Sequence, residues 1–179
     1  SNRLSKGIEF LMKKNDITHL SGRGILKSSN KIEVTSGKKK EIVEAKKIII
    51  ATGARPKIFP GMDSDGKQVI TSKEAMVLKE PPKKMVIIGA GAIGLELGSV
   101  WRRLGAAVTV LEYADRILPT SDREVSKQML RILKKQGLKF SLKTQVTGVT
   151  ENDGACTVTL REGEPINGDR VLVAIGRRP

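Results

Sequence analysis

Gly89, Gly91 and Gly94 stand in GAGAIG at the spacing G-x-G-x-x-G, between the apolar run MVII and the helix-like stretch LELGSVWRRLG. That spacing suits the cradling of a pyrophosphate. The first glycine permits a tight turn, the second lets backbone come close to phosphate, and the third lets a helix pack tightly on a strand. A helix starting here also aims unpaired N–H groups and the positive end of its dipole at the same place. Alone the spacing is weak evidence, because glycines serving only the packing of a βαβ unit would look the same. The second apolar run, AAVTVLE, however, ends at Glu112, about 20 residues on, where a dinucleotide fold puts an acid on the adenosine ribose. A carboxylate accepts hydrogen bonds from both ribose hydroxyls, each worth about 1.5–3 kcal/mol. It would repel a 2′-phosphate. The expected cofactor is therefore NAD rather than NADP, with Arg116 the nearby cation that could reach a phosphate instead.

The elements that must hold these residues form two unequal parts. Residues 83–179 alternate strand and helix: MVIIG, AAVTVLE and LKFSL read as strands, and three more are expected near 145–151, 155–161 and 170–175. Between the second and third strands lies SDREVSKQMLRILKKQG. There Ser121 and Glu124 read as a capping box, Val125, Met129, Ile132 and Leu133 as one apolar face, and Gly137 as the stop. The expectation is an α/β, Rossmann-like dinucleotide-binding domain with a parallel sheet plus an antiparallel β-meander. Residues 1–82 read differently. LSKGIEFLMKKN places Leu4, Ile8 and Leu11 at helical spacing. ITHLSGRGIL, KIEVTS and EIVEAKKIIIATG then suggest an antiparallel meander ending on a buried strand. From Ala54 to Pro82 the proline and glycine content reads as a connector, with a short helix in SKEAMVLK capped by Ser72.

Composition narrows the function. The net charge is +14, but it is spread: 17 basic against 9 acidic residues up to position 80, and 16 against 10 beyond. A basic surface attracts polyanions, yet stacking platforms for single strands are scarce, with only Phe10, Phe59, Phe140, Tyr113 and Trp101 present. No specific nucleic-acid binding is expected, and Lys38 to Lys40 read as a solvated hairpin tip. No run approaches the roughly 20 apolar residues that cross a bilayer, and no signal-peptide pattern opens the chain, so no membrane association is expected. His19 has no partner for a metal site. The lone Cys156 permits no internal disulfide and reads as a small core residue of ACTVTLR; it favours a reducing compartment, taken as cytoplasmic.

KKIIIATGARP, MVIIGAGAIGLELGSVWRRLGAAVTVLEYADRILP and the closing VLVAIGRRP resemble the pyridine nucleotide-disulfide oxidoreductases. Within that family LSKGIEFLMKKNDITHLSGRGIL and TSKEAMVLKEPPKKMVIIGAGAIGLELGSVW are most similar to the dihydrolipoyl dehydrogenase branch. The resemblance implies that residues 1–82 are the central, incomplete part of an FAD-binding domain with its linker, and 83–179 a nearly complete NAD-binding domain. It implies that Gly24, Ala51, Thr52 and Gly53 approach the flavin nucleotide. It also implies that Gly89, Ala90, Gly91, Ala92, Ile93, Gly94, Leu95 and Glu96 wrap the NAD pyrophosphate, Glu96 lying toward the nicotinamide. Glu112 would hold the ribose, Val146 would pack by the adenine, and Gly176 would offer backbone near the nicotinamide end. Glu96 has a plainer reading as an acid favourable near a helix start. Where the NADP-using glutathione reductases carry two phosphate-binding arginines, this chain has Tyr113 and Pro119.

Several of the family's parts do not occur in the sequence: the first GxGxxG for FAD, the CxxxxC redox pair, the aspartate motif closing the flavin site, and the dimer domain with its His-Glu base. The resemblance therefore implies an internal fragment, with no catalytic residue and no metal ligand of its own. Its parent would be a homodimer that oxidises the dihydrolipoyl groups of 2-oxo acid dehydrogenase complexes, using FAD and NAD. A stand-alone NAD-binding module without chemistry, or a related NADH-dependent disulfide or mercuric reductase, remain alternatives.

Overall fold

A computed structural model describes residues 2–152 and 154–179. The chain divides into two compact units, one running to Thr52 and one from Gly53.

The first unit holds helix α1 (Asn2–Lys14) and a three-stranded antiparallel meander of β1 (Arg23–Ser28), β2 (Lys31–Ser36) and β3 (Lys39–Glu44). β2 and β3 pair from Lys31↔Glu44 to Ser36↔Lys39, leaving Gly37, at φ +60°, and Lys38 as the two-residue turn. The expected buried strand at KKIIIATG does not form. Residues 48–54 carry no ladder hydrogen bonds, and Ile49 is 91% exposed. A run of isoleucines has the propensity for a strand, but a strand also needs a neighbour to bond, and among the described residues none lies beside it.

The second unit is built in three layers. Its strands are β4 (Arg55–Pro56), β5 (Val69–Ile70), β6 (Lys84–Ile88), β7 (Ala107–Leu111), β8 (Lys139–Ser141), β9 (Val146–Asn152), β10 (Ala155–Leu160), β11 (Ile166–Gly168), β12 (Arg170–Val173) and β13 (Arg177–Arg178). Its helices are α2 (Ser72–Ala75), α3 (Ala92–Arg103) and α4 (Arg123–Lys135). The central sheet runs β5-β12-β6-β7-β8, every pairing parallel. One face packs the helices: Met85, Ile87, Val108, Val110 and Leu172 meet Ala75, Leu95, Trp101 and Leu133. The other face packs the antiparallel sheet β11-β10-β9, with Val86, Ile88, Val171 and Val173 against Cys156 and Val158. Continuous apolar runs such as MVII and VLV are what a sheet covered on both faces requires. Residues 54–82, read as a connector, contribute β4, β5 and α2 to this unit.

Local details differ from expectation in three places. The N-cap of α2 is Thr71, not Ser72: its hydroxyl accepts from Lys73 N, and Glu74 closes a capping box onto the Thr71 backbone. That Thr71 hydroxyl, donating to Glu74 Oε2 at 2.6 Å, outweighs partial burial and holds the Glu74 carboxyl below its usual range. The N-cap of α4 is Asp122, whose Oδ1 accepts from the N–H groups of Glu124 and Val125, so the Ser121 capping box is not made. Finally, α4 buries Ser126 and Leu133 and half-buries Leu130, while Val125, Met129 and Ile132 remain exposed. The short strands β4, β5, β11 and β13 lie outside the segments that the sequence marks as strands.

Candidate functional site

Strand β6 ends at Ile88 and the chain turns at Gly89, with φ +104°, a conformation that favours glycine. A side chain there would in any case strike the end of β12, since a Cβ would lie 2.5 Å from the Ala174 carbonyl oxygen. Gly94 is equally constrained. Its Cβ would collide with the Gly89 carbonyl oxygen and press to 3.1 Å on Ile87 Cγ2, so the first turn of α3 lies directly on β6. Gly91 is different. It is the N-cap of α3 in extended backbone, offers no side-chain cap, and a Cβ built on it meets nothing within 4 Å. A helix start with no side-chain acceptor over it and open space before it has first-turn N–H groups without an intrahelical partner. Those are the requirements of an anion seat, and a diphosphate fits them.

The turn lies at the carboxyl ends of β6 and β12. The chain leaves β6 toward β7 on one side and returns through β12 on the other, so this is the point where strand order reverses, the usual position of a ligand crevice in a doubly wound sheet. Ala174 N donates to Ile88 O at 2.8 Å and Gly89 N to Leu111 O at 2.8 Å, tying three strand ends together.

Glu112 follows β7 and is half-buried. Its Oε2 accepts from Ala90 N at 2.7 Å and its Oε1 from Ala114 N at 2.9 Å. The carboxylate therefore faces the glycine turn. Each oxygen keeps a further lone pair, enough to accept one hydroxyl apiece. The segment after Glu112 closes back over the turn: Leu118 N donates to Ala90 O at 2.9 Å, Ile117 is fully buried, and Ser126 Oγ donates to Leu118 O at 3.2 Å. Arg116, the cation near enough to raise the question of a phosphate, donates from Nη2 to Pro119 O at 2.6 Å.

The remaining expected residues are distributed as follows. Ala90 is buried beside the Glu112 carboxylate, and Leu95 is buried under α3. Ala92 and Ile93 open α3. Glu96 is the fifth residue of α3 and exposed, which places it beyond the first turn and weakens the dipole reading given to it. Val146 opens β9, half-buried, and packs on the core of the meander face. Gly176, at φ +110°, accepts from Lys57 N through its carbonyl at 2.9 Å. Gly53, at φ +81°, is exposed, as are Ala51 and Thr52 in the first unit. Gly24 lies in β1 with ordinary space for a side chain, whereas at Gly22 a Cβ would come within 2.6 Å of Thr35 O. Sequence reasoning missed Ala174 and Leu118, which bound the turn. The small residue closing VLVA was the available signal for the first.

Cys156 is wholly buried in β10, and burial, reinforced by the charges of Glu151 and Asp65, pushes its thiol up to about 11. Such a thiol is a poor nucleophile at neutral pH. No helix among the described residues is long and apolar enough to cross a membrane, and no cluster of three metal-ligating side chains occurs among them.

The sequence profile of the pyridine nucleotide-disulphide oxidoreductases matches residues 1–179. The chain belongs to this family. It is 46% identical over 99% of its length to a mitochondrial dihydrolipoyl dehydrogenase of Pisum sativum, 45% over 98% to dihydrolipoyl dehydrogenase 3 of Pseudomonas putida, and 45% over 99% to a leghemoglobin reductase of Glycine max. The chain spans 35–39% of the length of these relatives. Among solved structures it superposes on LpdA of Mycobacterium tuberculosis with a TM-score of 0.87 and 25% identity, covering 99% of this chain and 40% of that one. The flavoprotein disulfide reductase RclA of Escherichia coli gives a TM-score of 0.74 at 28% identity, covering 99% and 42%.

Proposed function

We propose that the chain provides the NAD-binding portion of a flavin-dependent disulfide oxidoreductase, and that the whole protein is a dihydrolipoyl dehydrogenase. The whole protein would oxidise dihydrolipoamide to lipoamide and reduce NAD+ to NADH, with a redox disulfide and FAD supplying the electron relay between them. The observation that carries the reading is the pairing of an uncapped helix start, open at Gly91, with a carboxylate turned onto the same turn. NAD, when bound, supplies the hydride-accepting ring; this chain's own residues do the holding. The N–H groups at the start of α3 receive the two phosphates, Glu112 accepts from the ribose hydroxyls, Val146 packs by the adenine, and Gly176 lies toward the nicotinamide end with Glu96. Partners in this reading are the dihydrolipoyl groups of 2-oxo acid dehydrogenase complexes and a second copy of the whole protein. The compartment proposed is reducing, with the cytoplasm taken first, although the pea relative is named mitochondrial.

The preference for NAD rests on charge. A 2′-phosphate would approach the Glu112 carboxylate, while Arg116, the cation raised by the sequence, is already bonded to a backbone carbonyl. Titration of the 179-residue chain with NADH and NADPH, followed by calorimetry, tests this. NADH is expected to bind at least tenfold more tightly. Equal affinities, or NADPH the tighter, would remove Glu112 from the ribose.

A further inference from the structure

At the opposite, amino-terminal edge of the parallel sheet lies a second recess. It is a cleft of about 370 Å³ lined in part by Lys83, Lys84, Arg102, Thr109, Lys139 and Asn167, over a floor that includes Met85 and Val108. Lys84 and Lys139 are the first residues of β6 and β8. With five residues in β6 at about 3.3 Å each, the cleft stands roughly 15 Å from the glycine turn. The lining contains four cations and no acid. Among the described residues none of the four forms an ion pair, the two pairs present being Lys27–Glu33 and Lys31–Glu44 in the first unit. The neighbouring Asp169 directs its carboxylate to the Lys84 backbone, accepting from Lys84 N at 2.9 Å.

Arg102 makes this more than a scatter of lysines. Its guanidinium lies over Gly137, where a Cβ would come within 2.6 Å of Nε and 2.8 Å of Nη2, so the missing side chain at Gly137 is what gives it room. Its hydrogen bond among the described residues is a long one, Nη1 to Ala106 O at 3.5 Å, and Nε is buried with no acceptor. Nε itself is sealed from solvent, so the terminal nitrogens are the part of the guanidinium that can meet a ligand in the cleft. The ends of α3 and α4 meet at Arg102 and Gly137, and their carbonyl dipoles favour a cation. They explain why an arginine is tolerated. They do not account for three lysines lining the same recess with no acid among them.

We propose that this cleft binds a small phosphate-bearing polyanion. The donors are all of the kind phosphate oxygens accept: a planar guanidinium fork, three ammonium point charges, a hydroxyl and an amide. Four positive charges match the three to four negative charges of a di- or triphosphate, and the volume lies within the range of small-ligand pockets, about 300–1,000 Å³. The site is separate from the glycine turn and does not depend on NAD binding there.

The test uses inorganic tripolyphosphate, titrated into the ¹⁵N-labelled chain at about 150 mM salt, where nonspecific attraction between exposed charges is screened beyond about 8 Å. One saturable site is expected, with amide shifts concentrated at Gly105, Thr109, Gly137 and Lys139 and unchanged when NADH is added. Arg102→Gln should weaken binding at least tenfold. Lys139→Gln, at an exposed position where folding is not in question, should weaken it about two- to fivefold. Shifts centred on residues 89–96, shifts spread over Lys38 to Lys40 without saturation, or identical titrations for wild type and Lys139→Gln would overturn the proposal. Tighter binding of citrate than of tripolyphosphate at the same amides would overturn the phosphate assignment. NADH titration of the same samples reports on the glycine turn separately, so failure of one site is not mistaken for failure of the other.

Discussion

Glu112 carries one job that the structure shows and a second that is proposed for it. The proposed ribose contact was legible in the sequence as an expectation, from its type and its distance from the glycines. Its hydrogen bonds to Ala90 N and Ala114 N were not, because both depend on how the turn after β6 and the bend after β7 come together in space. Replacing it by alanine leaves the buried Ala90 N–H without an acceptor, so Glu112→Ala is expected to cost about 1–3 kcal/mol of stability with no ligand present. NADH affinity should fall as well, and the gap to NADPH should narrow. Glu112→Gln retains an acceptor for one N–H and should unfold at a temperature between wild type and alanine. Thermal denaturation without and with NADH separates the two jobs; an unchanged ligand-free midpoint in Glu112→Ala would deny the structural one. Cys156 gives the opposite lesson, a reactive residue type made inert by position. With its thiol pushed up to about 11, the native protein should resist alkylation at pH 7.5 and react fully once denatured. The folded thiol pKa lies above the ordinary value near 9.0, so the associated stability is intact below pH 9 and is lost as pH rises toward 11. A midpoint that stays flat over that interval would contradict the burial.

Among the elements, the strand-turn-helix is where spacing and structure correspond most closely, because each of its glycines answers a different contact. Gly94 has no room, Gly91 has nothing in front of it, and Gly89 has both a positive φ and a carbonyl against it. Paired substitutions should therefore part company. Gly94→Ala drives a methyl group into the Gly89 carbonyl and is expected to destabilise the fold by about 1–3 kcal/mol. Gly91→Val keeps an ordinary φ of −77° and should fold with little loss, yet it fills the space before α3 and should abolish NADH binding. Denaturation curves and calorimetry on the two variants decide it; full binding by Gly91→Val would place the phosphates elsewhere. Helix α4 shows where pattern reading runs out. Val125, Met129, Ile132 and Leu133 lie at helical spacing, and so do Ser126, Leu130 and Leu133 one position round. Only packing into the core on the helix side of the sheet selects the second stripe. A serine in the core stripe hides it from hydropathy, and Ser126 is tolerated there because its hydroxyl donates to Leu118 O.

At the scale of the whole molecule, the apolar run IIIATG and the run MVII look alike in sequence and end in opposite circumstances. Ile87 and Ile88 are buried between neighbouring strands and two covering layers, whereas Ile49 and Ile50 are 91% and 71% exposed. Local propensity sets which residues can extend; it does not provide the strands to bond them. The same contrast separates the two units. Among the described residues every buried apolar side chain lies at Met62 or beyond, so the first unit has a sheet and a helix but no fully buried core. Backbone hydrogen bonds there are held chiefly by the β1-β2-β3 ladder itself and by surface ion pairs worth about 0–1 kcal/mol each. Amides in β6, β7 and β12, flanked by Met85, Ile87, Val108, Val110, Val171 and Leu172, open only with the unit as a whole. Hydrogen exchange should accordingly find β6, β7 and β12 protected by at least a hundredfold more than β1 to β3. On heating, the first unit should lose its ladder in a separate, earlier transition. A single transition with equal protection in both sheets would mean that residues 2–52 draw stability from contacts their own burial does not supply.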